Sequence, residues 1–407
     1  MPPLLDLTTR RARDAVAVVF ALNGFAFASW VSRIPDTRDA LELSPGRLGL
    51  LLLALSVGSV VALPTAGMWV HRFGAGRVVA AAAVVDAVGL AVAGLGAGLV
   101  QDPWLTAAGL FLLGFGSGTW DVAMNVEGAA VEHRSLRTIM PRFHAAFSLG
   151  TVAGAAAGAA AAGLGLAVVW HLGLAAVLVG LAPFLAVRWF LPTDEEAGEA
   201  SHRSAWRAWL EPRTLAIGLM VLAMALTEGV ANDWLAVALV DGYEVEPWVG
   251  ASGFALFVTA MTVGRLTGGA LLDRFGRVPV LWGTMAVAAA GVLLVVFGPN
   301  LTVAALGIVL WGLGASLGFP VGMSAAADDP AHAAARVSVV STIGYTAFLA
   351  GPPLLGFLGD RVGVLNALLL VAVLLVPSAL AVPAARPRAS ARRPAAEPPS
   401  APSDRRR

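Results

Sequence analysis

Cysteine is absent from all 407 residues, and so is lysine, because each of the 27 basic residues is an arginine. No disulfide, thiolate metal site or thiol nucleophile can therefore enter the chemistry. Charge is scarce as well: 13% of residues are charged, against about 25% in an ordinary soluble domain. With a net charge of +1, nothing in the balance points to a nucleic-acid partner.

What is present is apolar. Hydrophobic residues make up 58% of the chain and fall into about twelve runs of 18 to 25 residues, beginning near residues 14, 47, 77, 104, 142, 168, 214, 248, 278, 301, 335 and 363. Each run is long enough to cross a hydrocarbon layer about 30 Å thick as a helix. Strands are not expected, since a chain patterned this way satisfies its backbone in lipid only as helices. The expected fold is an all-α membrane protein of twelve transmembrane helices.

The first run follows Arg10, Arg11 and Arg13, as the apolar part of a secretory leader would. It continues to about Ser32 without a small-residue cleavage site and reads as a retained helix. If the N-terminus is cytoplasmic, 22 of the 27 arginines lie on cytoplasmic segments. Only Arg33, Arg38, Arg47 and Arg361 lie on the far side, and Arg265 lies within a run. The positive-inside rule then puts both termini in the cytoplasm of a multi-pass protein of the inner, cytoplasmic membrane. Residues 384–407, rich in Pro, Ala and Arg, read as a disordered tail.

One motif repeats. Gly67 to Gly74 with His71 and Arg72, Gly269 to Gly276 with Asp273 and Arg274, and Gly356 to Gly363 with Asp360 and Arg361 all read G-x-x-x-[D/H]-R-x-G, and Gly158 to Gly165 is a degenerate fourth copy. The copies recur about 90 residues apart within each half of the chain and about 200 apart between halves. Two related six-helix halves explain both spacings: residues 1–13 as an N-terminal segment, 14–190 as the first half, 191–213 as a central loop, 214–383 as the second half and 384–407 as the tail.

The loop motif, its copies, the twelve-run plan and the longer central loop resemble the major facilitator superfamily over nearly the whole chain. More narrowly, Asp121-Val-Ala-Met-Asn125, Phe143-His144 with Phe147-Ser148, Glu228-Gly229 with Asp233-Trp234, and Gly351-Pro352-Pro353 resemble the branch containing the membrane proteins MosC and YbjJ, which is akin to the fucose and proton symporters. The resemblance implies two pseudo-symmetric halves that rock about a central site. It also implies that the loop-motif acid latches the cytoplasmic side against a helix N-terminus. In the first copy His71 stands where that acid belongs; a neutral imidazole would latch more weakly, and a protonated one would oppose the helix dipole.

Counting about 1.5 Å per residue along each run sorts the polar residues by depth. Asp121, Asn125, His144, Ser148 and Arg265 form an inner cluster, whereas Asn23, Trp30, Arg33, Glu228, Asn232 and Asp233 lie at the midplane or beyond it. A charge at such depth costs about 2.5 to 3.5 kcal/mol on insertion scales, so it is expected to face a partner or a water-filled cavity. Arg33 with Asp233 or Glu228 is expected to close the outer side, and Arg265 with Asp121 the inner side. Glu228, Asp121 and Asp233 are the candidates for proton coupling. Trp30, Trp120 and Trp234 are candidates for stacking on a sugar ring, and Trp104 and Trp248 for interface anchors. Glu127 and Glu132 are expected to be solvated in the headgroup zone. For Asp121 with Asn125, and for His144, a purely structural hydrogen bond is the alternative. Asp86 has no assigned role.

Enzyme chemistry has no support. Gly314-Ala-Ser316-Leu-Gly318 matches G-x-S-x-G, but inside a helical run rather than a strand-turn-helix elbow. Neither a P-loop nor H-E-x-x-H occurs. The sequence is expected to encode a monomeric secondary transporter for a sugar, polyol or related small polar solute, with no cofactor and with a proton as the coupling ion. The lipid bilayer is its environment. A drug and proton antiporter is the alternative, and a non-transporting membrane sensor a third reading.

Overall fold

A computed structural model describes residues 6–135, 139–191, 205–329 and 332–387. Most of the central loop (192–204) and most of the tail (388–407) lie outside the described residues, and so does the disorder expected there. No strand occurs among the described residues.

Twelve long helices follow one another: α1 (Leu7–Val31), α2 (Pro45–Phe73), α3 (Ala75–Leu95), α4 (Pro103–Ser135), α5 (Met140–Gly163), α6 (Val168–Ala186), α7 (Pro212–Tyr243), α8 (Pro247–Phe275), α9 (Arg277–Phe297), α10 (Leu301–Ala315, resuming as Gly318–Ala326), α11 (Ala333–Val362) and α12 (Leu369–Ala381). Among the described residues, eleven segments are long and apolar enough to cross a membrane. The twelfth helix, α4, misses that test because its middle dilutes the apolar residues with glycines, Ser117, Thr119 and Asp121. The first helix begins at Leu7 rather than at residue 14. Asp6 caps it, its Oδ1 accepting from the Thr9 amide at 2.6 Å, so the arginines before the apolar run are themselves helical.

The repeat is visible in the backbone. Gly74, Gly165, Gly276 and Gly363 have φ of 82°, 68°, 77° and 82°, and each closes one copy of the loop motif, including the degenerate one. A left-handed residue at that place ends one helix and turns the chain into the next, which glycine does without steric cost.

The two six-helix halves meet along two seams, α2 against α11 and α5 against α8. At the end opposite the termini the first seam is close-packed. The Gly46 amide donates to Asp360 Oδ1 at 3.0 Å, and a Cβ placed on Gly49 would come within 2.5 Å of the Pro352 carbonyl oxygen. A short helix, Ile34–Ala40, lies across the same end, where Arg38 pairs with Asp241 of α7. Deeper down, Ser56 Oγ donates to the Phe348 carbonyl at 2.7 Å.

At the end that bears the termini, an ionic network ties the second half together. Arg336 grips both carboxylate oxygens of Glu211 at 2.7 and 3.2 Å, while Asp328 accepts from Arg277 at 2.7 Å and from Arg213 at 2.8 Å. Burial pushes the Asp328 carboxyl up, but the hydrogen bonds from Arg277 and Arg213 outweigh it and hold the group below its ordinary 3.8. A depressed carboxyl adds stability above its unfolded value and loses it as pH falls through the folded one. Asp328→Asn is therefore expected to lower the unfolding temperature at neutral pH and to reduce its dependence on acid below pH 3.8, as measured by thermal unfolding across a pH series.

Glu127 and Glu132 do not project into solvent as expected. Glu127 is buried, with Oε1 accepting from the Leu191 amide at 2.6 Å, beyond the end of α6. Glu132 Oε2 accepts from the amides of Ile139 and Met140, both at 2.7 Å, at the start of α5. Helix starts leave amides without intrahelical partners, and a carboxylate there satisfies them and complements the helix dipole. Glu132→Ala is expected to cost about 1 kcal/mol of stability, as N-cap losses do; an unchanged denaturation midpoint would show that the cap contributes nothing.

Candidate functional site

Between the halves lies a cavity of about 1020 Å³. Its mouth is at the end bearing the termini, where Met140, Asp273, Arg277, Ser324 and Pro387 line it, and it runs inward to Glu228, Thr262 and Phe348. At 1.5 Å per residue, Glu228 is roughly 24 Å along α7 from that end. The tight α2–α11 seam closes the other side.

Arg265 and Glu228 form the polar centre of this cavity. Arg265 Nη2 contacts both Glu228 oxygens, at 3.0 and 2.9 Å, and its Nε reaches the Ser316 carbonyl at 3.4 Å, where α10 is interrupted. The side chains keep 28% and 18% of their exposure, so both members face the cavity and remain open to water or solute. The expected partner of Arg265 was Asp121. That pairing is absent because α7 and α8 are neighbours in the same half, whereas α4 belongs to the other half across an open mouth.

The N-terminal half contributes His144, Phe147 and Ser148 to the wall. His144 packs edge-on against Phe20, with centroids 5.4 Å apart, and lies within electrostatic reach of Arg265. Asp121 is partly exposed but does not line this cavity. It accepts from Asn125 Nδ2 at its carbonyl (2.8 Å) and at Oδ1 (3.2 Å), and Tyr345 of the opposite half lies within its electrostatic reach.

Several expected site residues lie elsewhere. Trp30, Trp120 and Trp234 retain 1%, 0% and 0% of their exposure and are core residues, not stacking platforms. The bulk of an indole fills the gap between packed helices, and facing away from the lipid did not mean facing the cavity. Asn23 and Asn232 are buried on α1 and α7. Asp233 is partly exposed and has no ion-pair partner among the described residues. Arg33 reaches neither Asp233 nor Glu228. Its Nη2 donates to the Leu166 carbonyl at 2.8 Å and to Asp36 at 3.3 Å, because the short helix that follows it places Asp36 one turn away. At the end opposite the termini the contacts fall instead to Arg38 with Asp241 and to Asp360 with the start of α2.

In the loop motif, Gly67 and Gly269 have open space around them, and Gly74 and Gly276 make the turns. His71, Arg72, Asp273 and Arg274 are exposed. His71 and Asp273 have no ion-pair partner among the described residues. Arg72 lies over the Phe73 ring at 5.6 Å and Arg274 over Phe275 at 5.2 Å.

The ring-bearing wall comes from residues that the sequence reading passed over. Phe319, Tyr345 and Phe348 line the cavity in a row, with successive centroids 6.4 and 6.3 Å apart. A possible clue was the break in α10 that turns Phe319 inward, signalled by the close run of Gly314, Gly318 and Pro320.

With this geometry in view, comparison with known proteins is decisive. The Major Facilitator Superfamily model matches residues 16–254 and 248–406. The chain belongs to that superfamily. It is 34% identical over 350 residues, 85% of this chain and 90% of the other, to the uncharacterized transporter y4wD of Sinorhizobium fredii. It is 28% identical over 362 residues, 88% of this chain and 86% of the other, to the membrane protein MosC of Rhizobium meliloti. Among solved structures, the nucleoside transporter NupG aligns with a TM-score of 0.73 at 14% identity, covering 92% of this chain and 98% of that one. The fucose:proton symporter FucP of E. coli aligns with a TM-score of 0.63 at 17% identity, covering 92% and 98%. At these identities the two structures establish a shared fold. This superfamily protein is accordingly a multi-pass membrane transporter and not an enzyme.

Proposed function

We propose that this transporter carries a small polar, ring-bearing solute such as a sugar or polyol by alternating access, coupled to a proton. The observation that carries this reading is the Arg265–Glu228 pair facing a cavity open on one side, with the aromatic row Phe319, Tyr345 and Phe348 along one wall. A ring can lie against the aromatic faces while its hydroxyls hydrogen-bond to the charged pair. Glu228 is the proton carrier: protonation weakens its hold on Arg265 and frees that guanidinium for solute. NupG and FucP, both named for solutes with hydroxyl-bearing rings, support this class of cargo.

In this proposal the end bearing the termini is cytoplasmic, consistent with its arginines, and the cavity is inward-open. The conformational cycle exchanges the closed outer seam for a closed mouth as the halves rock. Asp121 and Asp233 are secondary proton sites in this scheme, and the protein acts as a monomer in the inner membrane.

Thermal unfolding of purified protein against sugars, polyols and sugar acids at two pH values tests the class directly. A ligand at 100 times its dissociation constant stabilises the native state by about 2.7 kcal/mol. A second reading, export of amphipathic compounds, draws on Leu266, Leu272, Leu317 and Met323 in the same wall. Stabilisation by lipophilic cations alone, with none from the polar solutes, would favour it.

A further inference from the structure

On the outer flank of the first half, away from the transport cavity, α2, α3 and α4 enclose a second space of about 390 Å³. Its walls are apolar: Val78 and Val85 of α3, Phe73 of α2 and Phe115 of α4, with Trp69 set edge-on against Phe115 at 5.7 Å. The flank faces the bilayer, as the exposed Val84, Val88 and Phe73 show. From Arg77 to Val85 the cleft runs along α3 for about 12 Å, most of the roughly 15 Å depth of one hydrocarbon leaflet.

The charged residue in its lining is Arg77, on the first turn of α3 just past the loop glycine Gly74, at the end that bears the termini. In the second half the equivalent position, three past the loop glycine, is Pro279, and the arginine there, Arg277 directly after Gly276, is neutralised by Asp328 at 2.7 Å and held by Ser324 at 2.9 Å. Arg77 is exposed and has no ion-pair partner among the described residues. The nearest charged neighbours in sequence, His71 and Arg72, add no acid. An unpaired guanidinium at the headgroup level, above an apolar slot one leaflet deep, matches one kind of molecule in both charge and shape.

We propose that this cleft binds an anionic phospholipid of the leaflet at the termini-bearing end, with an acyl chain between α2, α3 and α4 and the phosphate on Arg77. Basic pockets between spanning helices recognise anionic headgroups, and a guanidinium suits the phosphate oxygens. All three helices belong to the same half, so the lipid stays bound whichever way the transport cavity opens.

The test uses delipidated protein in detergent with added dioleoyl phosphatidylglycerol or dioleoyl phosphatidylcholine, read by thermal unfolding and by lipid retention in native mass spectrometry. Phosphatidylglycerol is expected to stabilise the protein and be retained about tenfold better than phosphatidylcholine, whose choline cation offsets the phosphate charge and repels Arg77. Arg77→Gln should remove that selectivity, and Ala81→Phe, which fills the cleft from an exposed position, should remove retention of the chain. Arg47→Gln, at the opposite end, should change neither. Selectivity that survives both Arg77→Gln and Ala81→Phe would overturn the assignment. So would equal stabilisation by glycerol phosphate, which would mark an aqueous anion site instead.

Discussion

Glu228→Gln is expected to abolish pH-driven accumulation of solute in proteoliposomes while leaving exchange of solute across the membrane without a gradient. The amide keeps the shape of the carboxylate but cannot cycle a proton, so net uptake loses its coupling while the cavity still binds and rocks. It also leaves Arg265 without its counter-charge. Hydrogen bonds to charged groups contribute about 1.5 to 3 kcal/mol, and the remaining exposure of both side chains, 28% and 18%, puts the stability loss toward the low end of that range. Arg265→Gln should cost a similar amount. The double variant should then be less destabilised than the sum of the two, by the 0.5 to 3 kcal/mol or so that contacting pairs show in double-mutant cycles. Undiminished accumulation by Glu228→Gln under an imposed pH gradient would remove Glu228 from the coupling role.

Gly49→Leu is expected to have the largest conformational effect. Even a Cβ at this position would come within 2.5 Å of the Pro352 carbonyl, and both residues belong to the seam that closes the outer end. Overpacking a tight contact costs about 1 to 3 kcal/mol, and only the state in which α2 and α11 touch there bears that cost. The equilibrium should move toward the state open at the end opposite the termini by about 5- to 150-fold. Because the chain has no cysteine, the shift can be read without background. Ala145→Cys, partly exposed in the wall of the cavity, should react with an impermeant maleimide from the side of the termini, and Gly49→Leu should slow that reaction, by at most the factor of the equilibrium shift. Ser56→Cys, sealed beneath the seam, should become reactive from the other side. Unchanged labelling at both positions would mean that the seam does not set the conformation. Asp360→Asn should act in the same direction but more weakly, since it loses only a charge-assisted cap on the Gly46 amide.

Much of this architecture is legible in the sequence because bilayer thickness fixes helix length and because a left-handed turn demands glycine. Those two constraints gave the helix count, the two halves and the four loop copies, including the one reduced to glycines and alanines. Depth was readable only in part: His144, Ser148, Glu228 and Arg265 line one cavity, but counting along the runs separated Glu228 from Arg265, and the folded chain pairs them directly. Azimuth was not. Which face of α7 meets α8 decides that Arg265 takes Glu228, and no spacing within either helix encodes it. In the same way Trp30, Trp120 and Trp234 could not be told from cavity residues, since an indole between helices and one facing a solute occupy similar sequence surroundings. Glu127 and Glu132 were misjudged because their partners are amides of Leu191, Ile139 and Met140, which only the folded chain brings near.

The outer seam is built largely of backbone, with Gly46, Gly49 and Gly356 set against Pro352, Asp360 and Pro45, whereas the wall of the transport cavity is built of side chains. The two surfaces therefore tolerate mutation very differently. Phe319, Tyr345 or Thr262 can be exchanged one at a time without touching the contacts that let the halves close, while almost any side chain added at the seam disturbs the cycle for every cargo. A lineage with this fold can change what it carries in few substitutions and still keep the machine that carries it. Selection for a new solute should leave its marks on the wall and spare the glycines.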